Sequence, residues 1–233
     1  MNQENLYYPD DCINCFFKHS CNESLKDEDF DFLFQKTIQQ KYKKGEFIFK
    51  QGMKTNYLIY LLNGKVKFNY EDENSKNLIL SINKAPTLLG LANVLNEDIN
   101  IFSIIAIEDC RGCMIDLNKL KVLAIENKLF MMNVLKMSTD LFRSSILNFI
   151  SLAHKQVNGR IADVLIYLSK NVYESNTFTL TLSRQELAEF AGCSKENVIH
   201  TLRNFDSEGI IKVINKQIEI INIDKLTKIS KTG

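Results

Sequence analysis

Three cysteines fall within ten residues near the start of the chain, as Cys12-x2-Cys15-x5-Cys21, and three more follow at Cys110, Cys113 and Cys193. Clustered thiolates are soft ligands that hold zinc or an iron–sulfur cluster. Cys12, Cys15, Cys110 and Cys113 also form two C-x2-C pairs, the arrangement of a structural zinc site. A metal-free thiol switch, or unliganded thiols, is the third reading. His19 lies among the cysteines and reads as a solvated loop histidine. Cys193 reads as a small packed residue rather than a ligand.

A second group of residues suits nucleic-acid chemistry. Ser183-Arg-Gln-Glu186 has the spacing of a capping box, opening a helix over Arg184–Ala191 that Gly192 breaks. Ser194 caps a second helix, Lys195–Phe205, ended by Gly209. Val198, Leu202 and Phe205 fall on one face, so Lys195, Glu196, Ile199, His200 and Arg203 point outward. Two short helices joined by a glycine-bearing turn make a helix-turn-helix, followed by a hairpin wing over 210–214 and 217–221. The N-terminal end of the second helix would enter the major groove, which makes Lys195, Glu196, Asn197 and His200 candidates for base edges. Glu accepts from the cytosine amino group and Lys donates to guanine. Arg184, Arg203 and Lys216 are candidates for phosphates.

The rest of the chain must position these groups. From about 37 to 116, short runs rich in β-branched and aromatic residues alternate with turn residues, the texture of an antiparallel barrel or jelly roll. Asn63-Gly64, between two such runs, reads as a hairpin turn. From Asp116 to about Lys155 there is no Gly or Pro, and Leu120, Leu123, Leu129, Met132, Leu135, Leu141, Ile146 and Phe149 recur at helical spacing. That is a short helix and then a long one, whose apolar load exceeds what one small roll covers, so part of it is expected to meet a second subunit.

The chain carries 29 Lys plus Arg against 28 Asp plus Glu. The balance is uneven: residues 1–35 hold eight acids and two lysines, whereas 154–233 hold eleven bases and nine acids. The apolar fraction of 45% argues against disorder, no apolar run approaches the roughly 20 residues of a membrane span, and the start lacks a signal-peptide pattern. The expectation is a soluble cytoplasmic protein, in which six thiols do not form a disulfide framework. There is no phosphate-cradling loop, His-Glu-x-x-His or dinucleotide fingerprint, and His19, His154 and His200 are scattered, so no enzyme activity is expected.

The order of roll, long helix and winged helix-turn-helix resembles the CRP/FNR family of bacterial transcription regulators. The segments from Lys44-Gly45-Glu46 to Gln51-Gly52 and from Leu58 to Val66 are similar to the first turns of that family's roll. The more specific match is Leu182-Ser183-Arg184-Gln185-Glu186-Leu187-Ala188, then Ala191-Gly192, Ser194, Glu196 and Val198, which is similar to its DNA-binding signature. The resemblance implies an α+β fold: a cysteine-bearing segment over 1–29, a sensory β-roll over 30–116, a dimerisation helix over 117–155 and a winged helix-turn-helix over 156–233. It puts Glu196 at the family's base-reading glutamate and His200 where arginine is common, which leaves the operator sequence open. It implies a homodimer on a palindromic duplex operator, with RNA polymerase as a further partner.

The family's roll often binds cyclic nucleotide through a Gly-Glu pair and an Arg-Ser/Thr-Ala stretch. Here the comparable residues are Leu89-Gly90-Leu91-Ala92 and Ile101-Phe102-Ser103-Ile104; the acid and the arginine are missing, and no cyclic-nucleotide site is expected. The cysteine spacing resembles the oxygen-sensing FNR branch, in which four thiolates hold a 4Fe-4S cluster. That resemblance implies Cys12, Cys15, Cys21 and Cys113 as ligands, with Cys110 as the reserve for the fourth.

Overall fold

The computed structural model describes residues 25–34, 37–93 and 99–233, so Cys12, Cys15, Cys21 and His19 lie outside the described residues. The chain divides into two compact units: the described residues up to Val66 with Lys84–Arg143, and Lys67–Asn83 with Ser144–Gly233.

Helix α1 (Asp27–Phe34) comes first, with Asp27, Glu28 and Asp29 in its first turn, where acids suit the helix dipole. Phe30, Leu33 and Phe34 are its buried stripe. The roll follows as β1 (Gln39–Tyr42), β2 (Phe47–Phe49), β3 (Tyr57–Asn63), β4 (Lys65–Glu71), β5 (Asn77–Lys84), β6 (Thr87–Leu89), β7 (Ser103–Ala106) and β8 (Cys110–Asp116). They form two four-stranded sheets, ordered β1-β8-β3-β6 and β2-β7-β4-β5.

The Asn63-Gly64 turn is therefore not a hairpin: β3 pairs with β8 and β6, and β4 lies in the other sheet. Its glycine is needed for a different reason. Gly64 has φ +92°, and a methyl group there would stand 2.5 Å from the Cys110 sulfur and 2.9 Å from the Asp109 carbonyl oxygen, so the chain switches sheets in a space that only glycine fits.

Strand β8 carries no clear alternation, yet it is central to its sheet, paired with both β1 and β3. Gly112 allows this, since a Cβ at that position would lie 2.5 Å from Ile59 Cγ2. Gly112→Val is expected to lower stability by about 2–3 kcal/mol, a fall in thermal midpoint of roughly 5–10 °C. An unchanged melting curve would show that the strands can part to admit a side chain.

Asp116 then caps α2 (Leu117–Glu126), its carboxylate accepting from the Asn118 and Lys119 amides at 2.8 and 3.0 Å. Helix α3 (Lys128–His154) follows after one residue. Leu117, Leu120, Leu123, Phe130 and Val134 join Phe30, Leu33, Leu58, Tyr60, Leu88 and Ile115 in one core. Met137 packs against it, half-buried, but other apolar side chains of α3 do not. Leu129, Met132, Leu135, Phe142, Ile146, Leu147, Phe149 and Ile150 are exposed, Phe142 and Phe149 at 66% each.

The second unit continues with α4 (Val157–Tyr167), a π-helical turn (Leu168–Val172), β9 (Thr177–Thr179), α5 (Arg184–Ala191), α6 (Lys195–Ser207), β10 (Ile211–Ile214), β11 (Gln217–Ile220) and α7 (Ile223–Thr232). The three strands form an antiparallel sheet ordered β10-β11-β9. Val198, Leu202 and Phe205 are buried as the spacing required, and Ile161, Leu165 and Leu187 line one small cavity with Val198 and Leu202. No described helix is long and apolar enough to cross a membrane.

Candidate nucleic-acid interface and sensor residues

The capping box at Ser183 is complete: the Ser183 hydroxyl accepts from the Glu186 amide at 3.1 Å, and Glu186 Oε2 accepts from the Ser183 amide at 2.7 Å. The other carboxylate oxygen accepts from Lys67 Nζ at 2.9 Å. Burial pushes the Glu186 carboxyl up, but the Ser183 amide and the Lys67 ammonium outweigh it and the net shift is down. Sequence spacing found the box; Lys67, 119 residues away, left no signal.

Helix α5 ends at Gly192 in the left-handed region, φ +58°. A methyl there would lie 2.6 Å from Leu152 Cδ2, and Arg160 Nη1 donates to the Gly192 carbonyl oxygen at 2.8 Å. Ser194 then starts α6, accepting from the Asn197 amide at 3.2 Å. Two interactions fix how far α6 stands out. Buried Thr201 donates to Asn158 Oδ1 at 2.8 Å, and Asp206 Oδ1 accepts from the Val213 amide of the wing at 3.1 Å.

The outer face of α6 presents Lys195, Glu196, Asn197, His200 and Arg203 to solvent together, with Ile199 half-buried beside them. Glu196 is the most defined of these. Its own backbone amide and then the Ser194 hydroxyl hold its carboxyl below the usual range, so it stands as an ionised acceptor in the first turn. Asn204 Nδ2 lies 3.3 Å from His200 Nδ1. Arg184 is half-buried, its Nη2 donating to the Asn215 carbonyl oxygen at 3.3 Å, while Lys216 at the wing tip is exposed. Burial pulls the Arg184 guanidinium down from its ordinary value. Ionised acceptors and donors therefore share one exposed face, whose chemistry matches base edges and phosphates.

The two candidates for the fourth thiolate part company on β8. Residues three apart on a strand point to opposite faces. Cys113 is 3% exposed and packs in the core that includes Leu25, Phe30 and Phe34. Cys110 Sγ instead lies 3.2 Å from the Glu108 and 3.4 Å from the Lys65 carbonyl oxygens, against Gly64. Burial pushes the thiols of Cys110 and Cys193 up, away from thiolate character. Among the described residues no three His, Cys, Asp or Glu side chains converge as a metal site.

In the stretch comparable to the cyclic-nucleotide site, Gly90 has φ +93° and is closed in by Leu58 Cδ2 and the Phe49 ring, 2.9 and 3.3 Å from where a Cβ would be. Ser103 is buried, and its hydroxyl accepts from the Gln51 amide at 3.0 Å. Ile101 is exposed.

Comparison with known proteins agrees with this arrangement. A model described as the cyclic nucleotide-binding domain matches residues 39–127, and one described as the Crp-like helix-turn-helix domain matches 159–229. The chain is 25% identical over 217 residues to the transcriptional activator protein Anr of Pseudomonas protegens, covering 91% of this chain and 88% of that one. It is 26% identical over 184 residues to the cAMP-activated global transcriptional regulator CRP of Pasteurella multocida, covering 77% and 88%. The fold is similar to that of FixK2 from Bradyrhizobium japonicum, with a TM-score of 0.77, 18% identity, and 84% and 98% of the two chains covered. With a roll and a helix-turn-helix both matched, and in that order, the chain belongs to the CRP/FNR family of transcriptional regulators.

Proposed function

We propose that this DNA-binding regulator senses oxygen or redox state through a 4Fe-4S cluster held by Cys12, Cys15, Cys21 and Cys113, and that cluster state sets its affinity for a palindromic operator. The observation that carries the sensor reading is the placing of Cys113. Its thiol shares a core with Leu25, and Leu25 lies only four positions after Cys21, a reach of at most about 14 Å of extended chain. Cys110, on the opposite face of β8, does not share that core. This favours one three-plus-one thiolate set over the two C-x2-C pairs of a structural zinc site, because Cys110 and Cys113 cannot turn toward one ion together.

When bound, such a cluster supplies reactivity toward oxygen. The chain's own part is mechanical. Thiolates at Cys12, Cys15 and Cys21 would tie the acidic first segment to Cys113, three residues along β8 before Asp116 caps α2. The same core holds Leu117, Leu120, Phe130 and Val134, so fixing the segment there steadies the start of α3. The exposed apolar face of α3 then meets the same face of a second copy. Two copies of α6 are thereby set to enter successive major grooves about one DNA turn apart, with Glu196, Lys195, Asn197 and His200 on base edges and Arg184 and Arg203 on phosphates. RNA polymerase is the further partner of the DNA-bound dimer. The roll is proposed to work without cyclic nucleotide.

Anaerobic purification with iron, sulfide and zinc analysis tests the sensor. Close to four irons and four sulfides per chain are expected, in the absence of zinc; stoichiometric zinc without iron would overturn it.

A further inference from the structure

The second unit holds a half-enclosed cavity of about 360 Å³ that shares only Leu147 and Ile150 with the α3 face described above. Its walls come from β5, the end of α3, α4 and α5: Leu80, Leu147, Ile150, Val164 and Phe190 are the main apolar surfaces. The volume lies at the lower end of the range for small-molecule sites, which are mostly apolar with a few convergent polar groups. A π-helical turn (Leu168–Val172) forms one end and brings Asn171 to the cavity; such turns are frequent at functional sites. The Asn171 side chain is exposed and makes no hydrogen bond to a described residue, whereas Asn148 across the cavity spends its amide nitrogen on the Leu80 carbonyl oxygen at 3.2 Å.

The charged lining decides what can enter. Lys155 Nζ lies 2.9 and 2.7 Å from the two carboxylate oxygens of Asp163, and the hydroxyls of Ser151 and Ser230 donate to the same carboxylate at 2.5 Å each. The pair is internally neutral and its acceptors are taken. An ionised ligand would lose its hydration here and gain no counter-charge, while an uncharged one loses little.

We infer that this cavity is a binding site for an uncharged, mostly apolar small molecule, a single substituted ring or short chain with one hydroxyl or carbonyl head directed at Asn171. Its walls join the first helix of the helix-turn-helix to the long helix and to β5, so an occupant is linked to DNA affinity by reciprocity. Only that link rests on the DNA-binding reading above; ligand binding does not.

The test uses the full chain, with p-cresol, 1-hexanol and hexanoate as probes followed by NMR titration. The two neutral probes are expected to saturate with Kd of about 1 mM or tighter, and hexanoate to bind at least tenfold more weakly. Asn171→Trp, at an exposed position, fills the cavity and is expected to weaken the neutral probes tenfold or more at an unchanged thermal midpoint. Ile166→Trp, half-buried in the α4 wall, gives a second filled variant if the first does not fold. Absence of saturation, equal binding of hexanoate, or binding indifferent to both folded variants would overturn the site. Saturating p-cresol is expected to change the half-saturation concentration for a selected duplex at least threefold, and no change would overturn the link. Failure to select any duplex would strike the DNA-binding reading while leaving the ligand titration to stand.

Discussion

Glu196→Ala is expected to cut affinity for the preferred duplex by about 10- to 100-fold while leaving binding to random duplex unchanged or slightly stronger. The side chain is exposed in the first turn of α6, and its carboxyl is held ionised by its own backbone amide and the Ser194 hydroxyl. That suits it as an acceptor for a cytosine amino group, and in the proposed role it would read sequence without adding to non-specific attraction. Arg203→Ala is the contrasting variant. A phosphate contact carries no sequence information, so its loss weakens all duplexes alike and lowers the slope of log affinity against log salt by about one. Competition shift assays on duplexes selected from a random pool separate the two. A uniform loss with Glu196→Ala would remove it from base reading.

Cys113→Ser is expected to reduce iron and sulfide tenfold or more after anaerobic purification, and Cys110→Ser to leave both nearly intact. The two thiols make a controlled pair, since each is buried, at 3% and 4% exposure, on the same strand. Each serine puts a hydroxyl in place of the thiol, so a stability effect alone would not favour one variant. The Cys110 site even offers carbonyl oxygens of Lys65 and Glu108 to the new hydroxyl. The difference rests on direction. Cys113 faces the core that Leu25 enters and Cys110 faces the Gly64 turn. Loss of iron in Cys110→Ser with retention in Cys113→Ser would exchange their roles.

The helix-turn-helix was legible almost residue by residue because its signals are local. A capping serine, a left-handed glycine and an i, i+4, i+7 stripe all act within one turn of helix, and Arg184–Ala191 and Lys195–Ser207 follow from them within two residues. The wing hairpin was legible for the same reason. What lay beyond reading depends on distant partners. Strand β8 hides behind Gly112 and two cysteines, and only the approach of Ile59 explains its glycine. Asn63-Gly64 has the chemistry of a hairpin, but sheet membership is set by β8 arriving beside β3 from 50 residues on. Helices α1 and α7 did carry local marks, acids in the first turn of one and the Asn222 cap of the other, accepting from Lys225 N at 2.8 Å; neither stretch is long enough for periodicity to stand out. Opposite facing of Cys110 and Cys113 needed only the knowledge that they share a strand. The exposed stripe of α3 was foreseen from its excess of apolar residues, because a helix with more apolar surface than its own roll covers must find another surface.

Control of DNA binding by cluster state is the central proposal. Its most direct test is one preparation, purified without air, titrated against its selected duplex before and after brief exposure to air, with iron followed in the same samples. Affinity is expected to fall at least tenfold as the iron is lost, and the loss is expected to be absent in a Cys113→Ser chain that starts weak and stays so. Binding that is tight and unchanged through the loss of iron, or a preparation that binds DNA with no iron at any stage, would contradict it.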